Sequence, residues 1–318
     1  MDINTITTIL NKVVIDDIIQ IIISKIIFKP KTKEELHIAL FEWRNDEKKA
    51  MKKYYHISTW NTSLITDMSY IFKNFNFPKF NDNIGNWDVS NVTNMSYMFD
   101  GTRFFNQNIS NWDVSNVTNM SYMFRNAKSF NQYISLWDVS NVSDMSNMFL
   151  GATSFNQDIN CWDVSNVSDM SSMFLYAESF NQPIGDWNVS NVENMRDMFK
   201  EAKSFNQDIS LWDVSNVKNM KSMFWSASSF NQYIGNWDVS NVEKMGMMFY
   251  EATSFNKNNI RNWNILNVNT MSNEKITNYI LHMFGLRFSF FAKYTNYINN
   301  NSLNQEYIMN INLNNILN

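Results

Sequence analysis

Aspartate recurs at Asp88, Asp113, Asp138, Asp163, Asp213 and Asp238. Stacked carboxylates about 5 Å apart repel unless neutralised, so this column is the one arrangement in the sequence that could hold a cation such as calcium. Asn188 and Asn264 interrupt it, and each Asp precedes a V-S-N turn, where a side-chain bond to the backbone is the ordinary role. We therefore expect no metal. His37, His56 and His282 are far apart and sit in no zinc-binding arrangement. Cys161 has no positioned base to activate it, and no glycine-rich phosphate loop exists. We expect neither catalysis nor a cofactor.

What positions these residues is a tandem repeat. Trp87, Trp112, Trp137, Trp162, Trp187, Trp212 and Trp237 each open a near-copy of WDVSNVTNMSYMF, followed by A-x-S-F-N-Q-x-I. A fixed period of this length marks a solenoid, whose units bury apolar surface against their neighbours. Trp60 opens a divergent earlier unit and Trp263 a last one, whose pattern stops at Glu274 and Lys275. We count about eight units, the first and last atypical.

The unit Trp187 to Gln207 illustrates the expected local fold. Ser190 and Glu193 have the spacing of a capping box. Val192, Met195, Met198, Phe199 and Ala202 then recur at three and four, which predicts a short helix. Phe205, Ile209, Trp212 and Val214 predict a short strand with a bend near Trp212. The fold class is thus an α/β repeat solenoid, one short strand and one short helix per unit, with helical caps. Met95, Met120 and their equivalents share the face of Val and Phe, which makes them core. Asn91, Asn116, Asn141 and Asn166, with Asn191, Asn216 and Asn241, should form a structural ladder bonding rung to rung. The first four also read as N-x-S/T, but a glycan on each rung would block stacking.

Composition fits one continuous body, with 44% hydrophobic residues, 7 Gly and 3 Pro. A net charge of -4 leaves no footprint for nucleic acid. The single cysteine excludes an intrachain disulfide. We divide the chain into an N-terminal helical cap, 1–56, the repeats, 57–274, and a C-terminal cap with an Asn-rich tail, 275–318. Residues 4–28 are Ile-rich, but Asp16, Asp17, Gln20 and Lys25 interrupt them, favouring a cap helix over a membrane span. Thr32 and Glu35 start a further helix with Leu36, Leu40, Trp43, Met51 and Tyr54 as its apolar stripe.

The phrase W-D-V-S-N-V-x-x-M-x-x-M-F-x-x-A-x-S-F-N-Q-x-I resembles the repeat of the BspA-like leucine-rich-repeat family, found on bacterial surfaces, in mycoplasmas and in large DNA viruses. It is also similar to the tryptophan-repeat proteins of insect poxviruses and giant viruses. The resemblance covers about residues 57–271 and implies a solenoid used for adhesion or protein binding, without catalytic residues. The Asn/Ile/Lys-heavy composition suits the viral relatives.

Function is then expected where the repeat varies. One column reads Asn108, Tyr133, Asp158, Pro183, Asp208 and Tyr233, and beside it stand Leu136 and Leu211. Outward-facing Tyr, Asp and Leu are ordinary content of a protein-binding face. A second variable column, on the expected helix side, includes Tyr97, Tyr122, Tyr176 and Trp225. We expect a monomeric protein-interaction module with a protein partner, no nucleic acid and no membrane span. It would act inside a cell, a host cell if the source is viral; a surface adhesin or virion-associated structural protein is the alternative.

Overall fold

The computed structural model describes residues 27–73, 79–260, 262–263 and 283. Among the described residues two helices precede the repeats, α1 (Lys33–Asn45) and α2 (Glu47–Tyr54). Thr32 caps α1 by accepting from the Glu35 N–H, and Asp46 ends that helix and caps the next by accepting from Lys49. The expected single stripe is therefore split over two helices. Leu36, Leu40, Trp43 and Tyr54 are buried as expected, joined by Ala39 and Ala50, whereas Met51 is exposed. These helices cover the first unit: Trp43 and Tyr54 meet Trp60 edge-on at ring separations of 6.0 Å, and the Trp43 indole donates to Asp82 at 3.0 Å. Phe28 adds its ring at 5.2 Å from Trp60 and its carbonyl to the Asn61 N–H. The Ile-rich residues 4–28 otherwise lie outside the described residues.

From Trp60 to Trp263 the units stack on one another through hydrogen bonds that recur at the repeat period. Neither element expected within a unit is present. Residues 192–202 form turns, not a helix, and 205–214 form no strand. The only pairings between units that qualify as β-structure among the described residues are isolated parallel bridges. They run from Asp67 through Asn94, Asn119, Asp144, Asp169, Asn194 and Asn219 to Lys244, inside the segment expected to be helical.

The division of backbone N–H groups explains why. In the unit of Trp187, the N–H groups of Met195, Asp197, Phe199 and Glu201 donate to carbonyls of the following unit at 2.8 to 2.9 Å. Those of Met198, Lys200 and Ala202 donate three residues back, to Met195, Asp197 and Phe199. Alternate amides are thus committed to the neighbour, and a helix, which needs every amide for its own i−4 carbonyl, cannot form. The three-and-four spacing of Val, Met and Phe is met equally by this chain of tight turns, so the same side chains are buried. The capping box is absent for the same reason: the Ser190 hydroxyl bonds Asn188, and Glu193 pairs with Lys218 of the next unit.

The arrangement requires two residues per unit in the left-handed region, such as Asp197 (φ 54) and Glu201 (φ 59). Glycine occupies the second position only at Gly101 and Gly151. Elsewhere a side chain bears a strain of about 1 to 2 kcal/mol.

Side chains form columns along the stack. Phe174, Phe199, Phe224 and Phe249 lie nearly parallel, 5.6 to 5.7 Å apart, and each also faces the second Phe of its own unit, at 4.0 Å for Phe199 and Phe205. The Met columns are buried throughout. Each Trp from Trp87 to Trp263 donates its indole N–H to a backbone carbonyl 28 to 30 residues before it, as Trp212 does to Ile184 at 2.9 Å. The expected asparagine ladder exists and points backward: Asn166 Nδ2 donates to the Ser140 carbonyl at 2.6 Å, and the other six do likewise to theirs. Its amide nitrogen, the atom a glycan would occupy, is thereby already committed.

A second ladder lies in the F-N-Q phrase. Asn181 Oδ1 accepts both the Asn206 N–H and the Gln207 side-chain amide at 2.9 Å, and the Asn-to-Asn bond recurs from Asn81 to Asn256. At the far end, Phe249 N–H donates to Met283 at 3.0 Å, the place that Met248 takes for Phe224. Met283 is buried, and Met283-Phe284 repeats the Met-Phe of the phrase, so the pattern returns beyond the break at Glu274 and Lys275. The rest of the expected C-terminal cap lies outside the described residues.

Unfolding measurements on four variants check this account. Glu201→Gly should raise the urea-unfolding free energy by about 0.5 to 1 kcal/mol, because relief of left-handed strain outweighs the entropy gained by an unfolded glycine. Gly151→Ala should lower it by about 1 to 2 kcal/mol, since its Cβ would come within 2.5 Å of Asn126 Oδ1 at φ +68. In the ladders, Asn181→Ala should cost about 1 to 3 kcal/mol and the exposed Asn166→Ala only about 0.5 to 1 kcal/mol. Equal costs would mean that the second ladder is no more important than a solvated turn.

Candidate functional site

All eight variable-column residues, Asn108, Tyr133, Leu136, Asp158, Pro183, Asp208, Leu211 and Tyr233, are exposed. Leu136 is 76% and Leu211 82% accessible, far more than an apolar residue needs to be, and Tyr133 stands at 49%. The eight differ in how far they are already engaged. Asn108, Asp158 and Asp208 each accept the backbone N–H two residues on, at 2.9 Å, which fixes the turn before Trp. The Tyr233 hydroxyl accepts from Asn262 Nδ2 at 2.9 Å and its ring folds over Gly235, where an added Cβ would lie 2.6 Å from the hydroxyl. Tyr233 is therefore part of the scaffold, and Tyr133, Leu136 and Leu211 are the large side chains most free to meet another molecule.

The same strip carries the aspartate column. Asp113 Oδ1 accepts both the N–H and the hydroxyl of Ser115, at 3.1 and 2.6 Å, and the turn repeats at Asp88, Asp138 and, with Asn in place of Asp, Asn188. The Ser115 hydroxyl first and its N–H second hold the Asp113 carboxyl below the ordinary carboxylate value, and serine bonds do the same at Asp163 and Asp238. No cluster that could hold a metal is found among the described residues. His56 is engaged with Ser58, Cys161 is exposed, and His282 lies outside the described residues.

Charge is segregated between the two halves of the repeat unit. The segments 81–91, 106–116, 131–141, 156–166, 181–191, 206–216 and 231–241 contain no Lys or Arg at all. They do contain the six column aspartates together with Asp82, Asp158, Asp186 and Asp208. Lysines and arginines from Lys73 to Lys244 stand in the other half of the units, where acids are also present and the ion pairs Lys73–Asp100, Arg125–Asp100, Arg196–Asp197, Lys203–Glu178 and Lys218–Glu193 form; in the last unit Lys257 and Arg261 enter the corresponding segment, 256–266. Over these seven units the charges of one side of the array are all acidic, and those of the other side balance in sum.

That balanced side holds the second variable column. Tyr70, Tyr97 and Tyr122 stack at 4.5 and 4.2 Å, with Lys73 4.1 Å above the Tyr97 ring. Burial, then the neighbouring Tyr122, push the Tyr97 hydroxyl up to about 12. Asp100, nearly buried, receives both arms of Arg125 at 2.7 Å and Lys73 at 3.0 Å. Trp225 lies under Lys200 at 3.8 Å and against Tyr250. These aromatics are engaged within the array; Tyr176 and Phe104 are the exposed ones on this side.

The family described as Mycoplasma protein of unknown function, DUF285, matches residues 42–149, 133–232 and 208–284. The chain belongs to this family. Its matches overlap along the same repeats and extend to the segment containing Met283. No curated protein matches the chain. Among the described residues no helix is long and apolar enough to cross a membrane.

The serine-bonded carboxylates set a pH dependence. Their folded pKa lies below the unfolded value of about 3.9, so their contribution is present above that value and is lost as pH falls through the folded pKa. The urea midpoint should therefore decline on acidification below about pH 4. It should decline less in the triple variant Asp113→Asn, Asp163→Asn, Asp238→Asn, which keeps the turn as Asn188 does. A midpoint that rises on acidification would show that repulsion between stacked carboxylates outweighs the serine bonds.

Proposed function

We propose that this chain is a non-catalytic protein-interaction module, a solenoid-type repeat array whose F-N-Q to D-V-S-N strip is the binding face. The observation that carries this is the exposure of Leu136, Leu211 and Tyr133 on a scaffold whose other large apolar columns are buried. Isolated exposed apolar residues are common, but these recur at equivalent places on a stack held by ladders of hydrogen bonds. A spacing of about 4.8 Å per unit puts Leu136 and Leu211 about 14 Å apart, which suits two anchors on one protein surface better than one small ligand.

Membership in a repeat family supports the module reading, and the variable columns give the repeats something to distinguish partners by. The absence of a nucleophile with a base in the sequence supports a non-catalytic role. The Asn/Ile/Lys-heavy composition fits mycoplasmal relatives as well as viral ones, so the reading rests on the surface and not on a source.

Affinity capture with the full chain and its variants tests which face binds. Leu136→Ser with Leu211→Ser should lose at least ten-fold of a captured partner while leaving unfolding within about 0.5 kcal/mol. Tyr176→Ser with Phe104→Ser, on the balanced side, should retain it. The reverse pattern would move the binding face to the balanced side.

A further inference from the structure

The strip's chemistry narrows what can dock on it. We infer that the face bearing Tyr133, Leu136 and Leu211 receives a basic, leucine-bearing polypeptide segment laid along the stack, an inference that rests on the binding-face reading above. The apolar side chains supply anchors, and every ionisable side chain around them that charges at neutral pH is a carboxylate. Asp138 follows Leu136 by two residues, and Asp213 follows Leu211 by two, so each anchor has an acid beside it.

Two features distinguish this face from a merely solvated acidic surface. The first is separation. Across seven units no cation enters the strip, while the other halves of those units, taken together, carry Lys and Arg in equal number with Asp and Glu and are cross-linked by ion pairs. Carboxylates on successive units lie about 5 Å apart, well inside a screening length of about 8 Å at physiological salt, so their fields add along the stack. The second is how the acids are held. The bonds from Ser115, Ser140 and Ser240 occupy one oxygen, Oδ1, of Asp113, Asp138 and Asp238, and orient each carboxylate from below. The second oxygen of each has no bond described from within the array. An incoming Lys or Arg meets a fixed acceptor and loses little entropy there.

The charge also selects against other partners. Anionic lipid surfaces and nucleic acids would be repelled by this side. An acidic polypeptide would place like charges opposite one another, which disfavours a tight interface. A basic segment gains both steering and relief of the repulsion between stacked acids.

Fluorescence anisotropy with the full chain and three labelled 12-residue peptides tests this. Each peptide carries the same four leucines, with the remaining positions filled by lysine and serine, by serine alone, or by glutamate and serine. The lysine peptide should bind at least ten-fold tighter than the serine peptide, and the glutamate peptide should not bind. Raising NaCl from 0.15 to 0.5 M should weaken the lysine peptide about ten-fold. Asp138→Asn with Asp163→Asn and Asp213→Asn should weaken it at least ten-fold while the chain stays folded, because Asn188 shows that the turn accepts asparagine. Leu136→Ser with Leu211→Ser should do the same.

Other results overturn the inference in distinguishable ways. If lysine and serine peptides bind alike and both need Leu136 and Leu211, the face binds protein but has no preference for a basic one. If the lysine peptide responds to the aspartate variants and not to the leucine ones, the strip is only a polyanion. If no peptide responds to either set while Tyr176→Ser with Phe104→Ser abolishes binding, the binding-face reading itself fails.

Discussion

The structure depends on how each unit divides its backbone N–H groups. Four amides in the stretch from Met195 to Glu201 donate to the following unit, and the intervening ones close tight turns within their own. Where the units meet, this alternation and the side-chain ladders satisfy the backbone, since among the described residues the repeats contain no extended strand and no α-helix. It costs left-handed geometry at two positions per unit, mostly at residues that are not glycine. Cooperative stacking offsets the cost, because each unit completes the hydrogen bonding of the one before it.

Side chains follow from that backbone. A chain that returns to the same place every 25 residues brings Phe over Phe, Met over Met and Asn over Asn. The polar columns are as constrained as the apolar ones. Asn181 and its equivalents use one oxygen for a backbone amide and a glutamine amide together, and each indole N–H reaches a carbonyl of the preceding unit. Variation falls at positions outside these ladders; some of them bond across the stack, as Tyr233 does with Asn262, and others carry the exposed Leu136, Leu211 and Tyr133.

Much of this was legible from the residues. The period, the buried columns, the Asn91-to-Asn241 ladder and the turn role of the aspartates are stated by the sequence because identical residues at a fixed period must meet identical partners. The elements inside the unit were not legible. Val192, Met195, Met198, Phe199 and Ala202 satisfy helical spacing, but spacing reports only which side chains turn inward, and a chain of tight turns turns the same ones inward. The F-N-Q ladder was missed because Asn beside a buried Phe looks like ordinary turn content. The acidic strip was missed because charges were read along the chain and not down the columns. Met283 could not be anticipated where Glu274 and Lys275 broke the phrase, although the Met-Phe pair at 283 and 284 was a visible signal.

The tryptophan column has an optical consequence. Trp60 and Trp87, Trp112 and Trp137, Trp212 and Trp237, and Trp237 and Trp263 hold their rings 6.2 to 6.4 Å apart and within 4 to 13° of parallel. Indoles at such a separation share excitation instead of absorbing singly, so the near-ultraviolet dichroism and emission of the array belong to the stack. Loss of a terminal unit then changes the spectrum of its neighbours as well as its own. The protein thereby carries an intrinsic gauge of how many of its units are still in register.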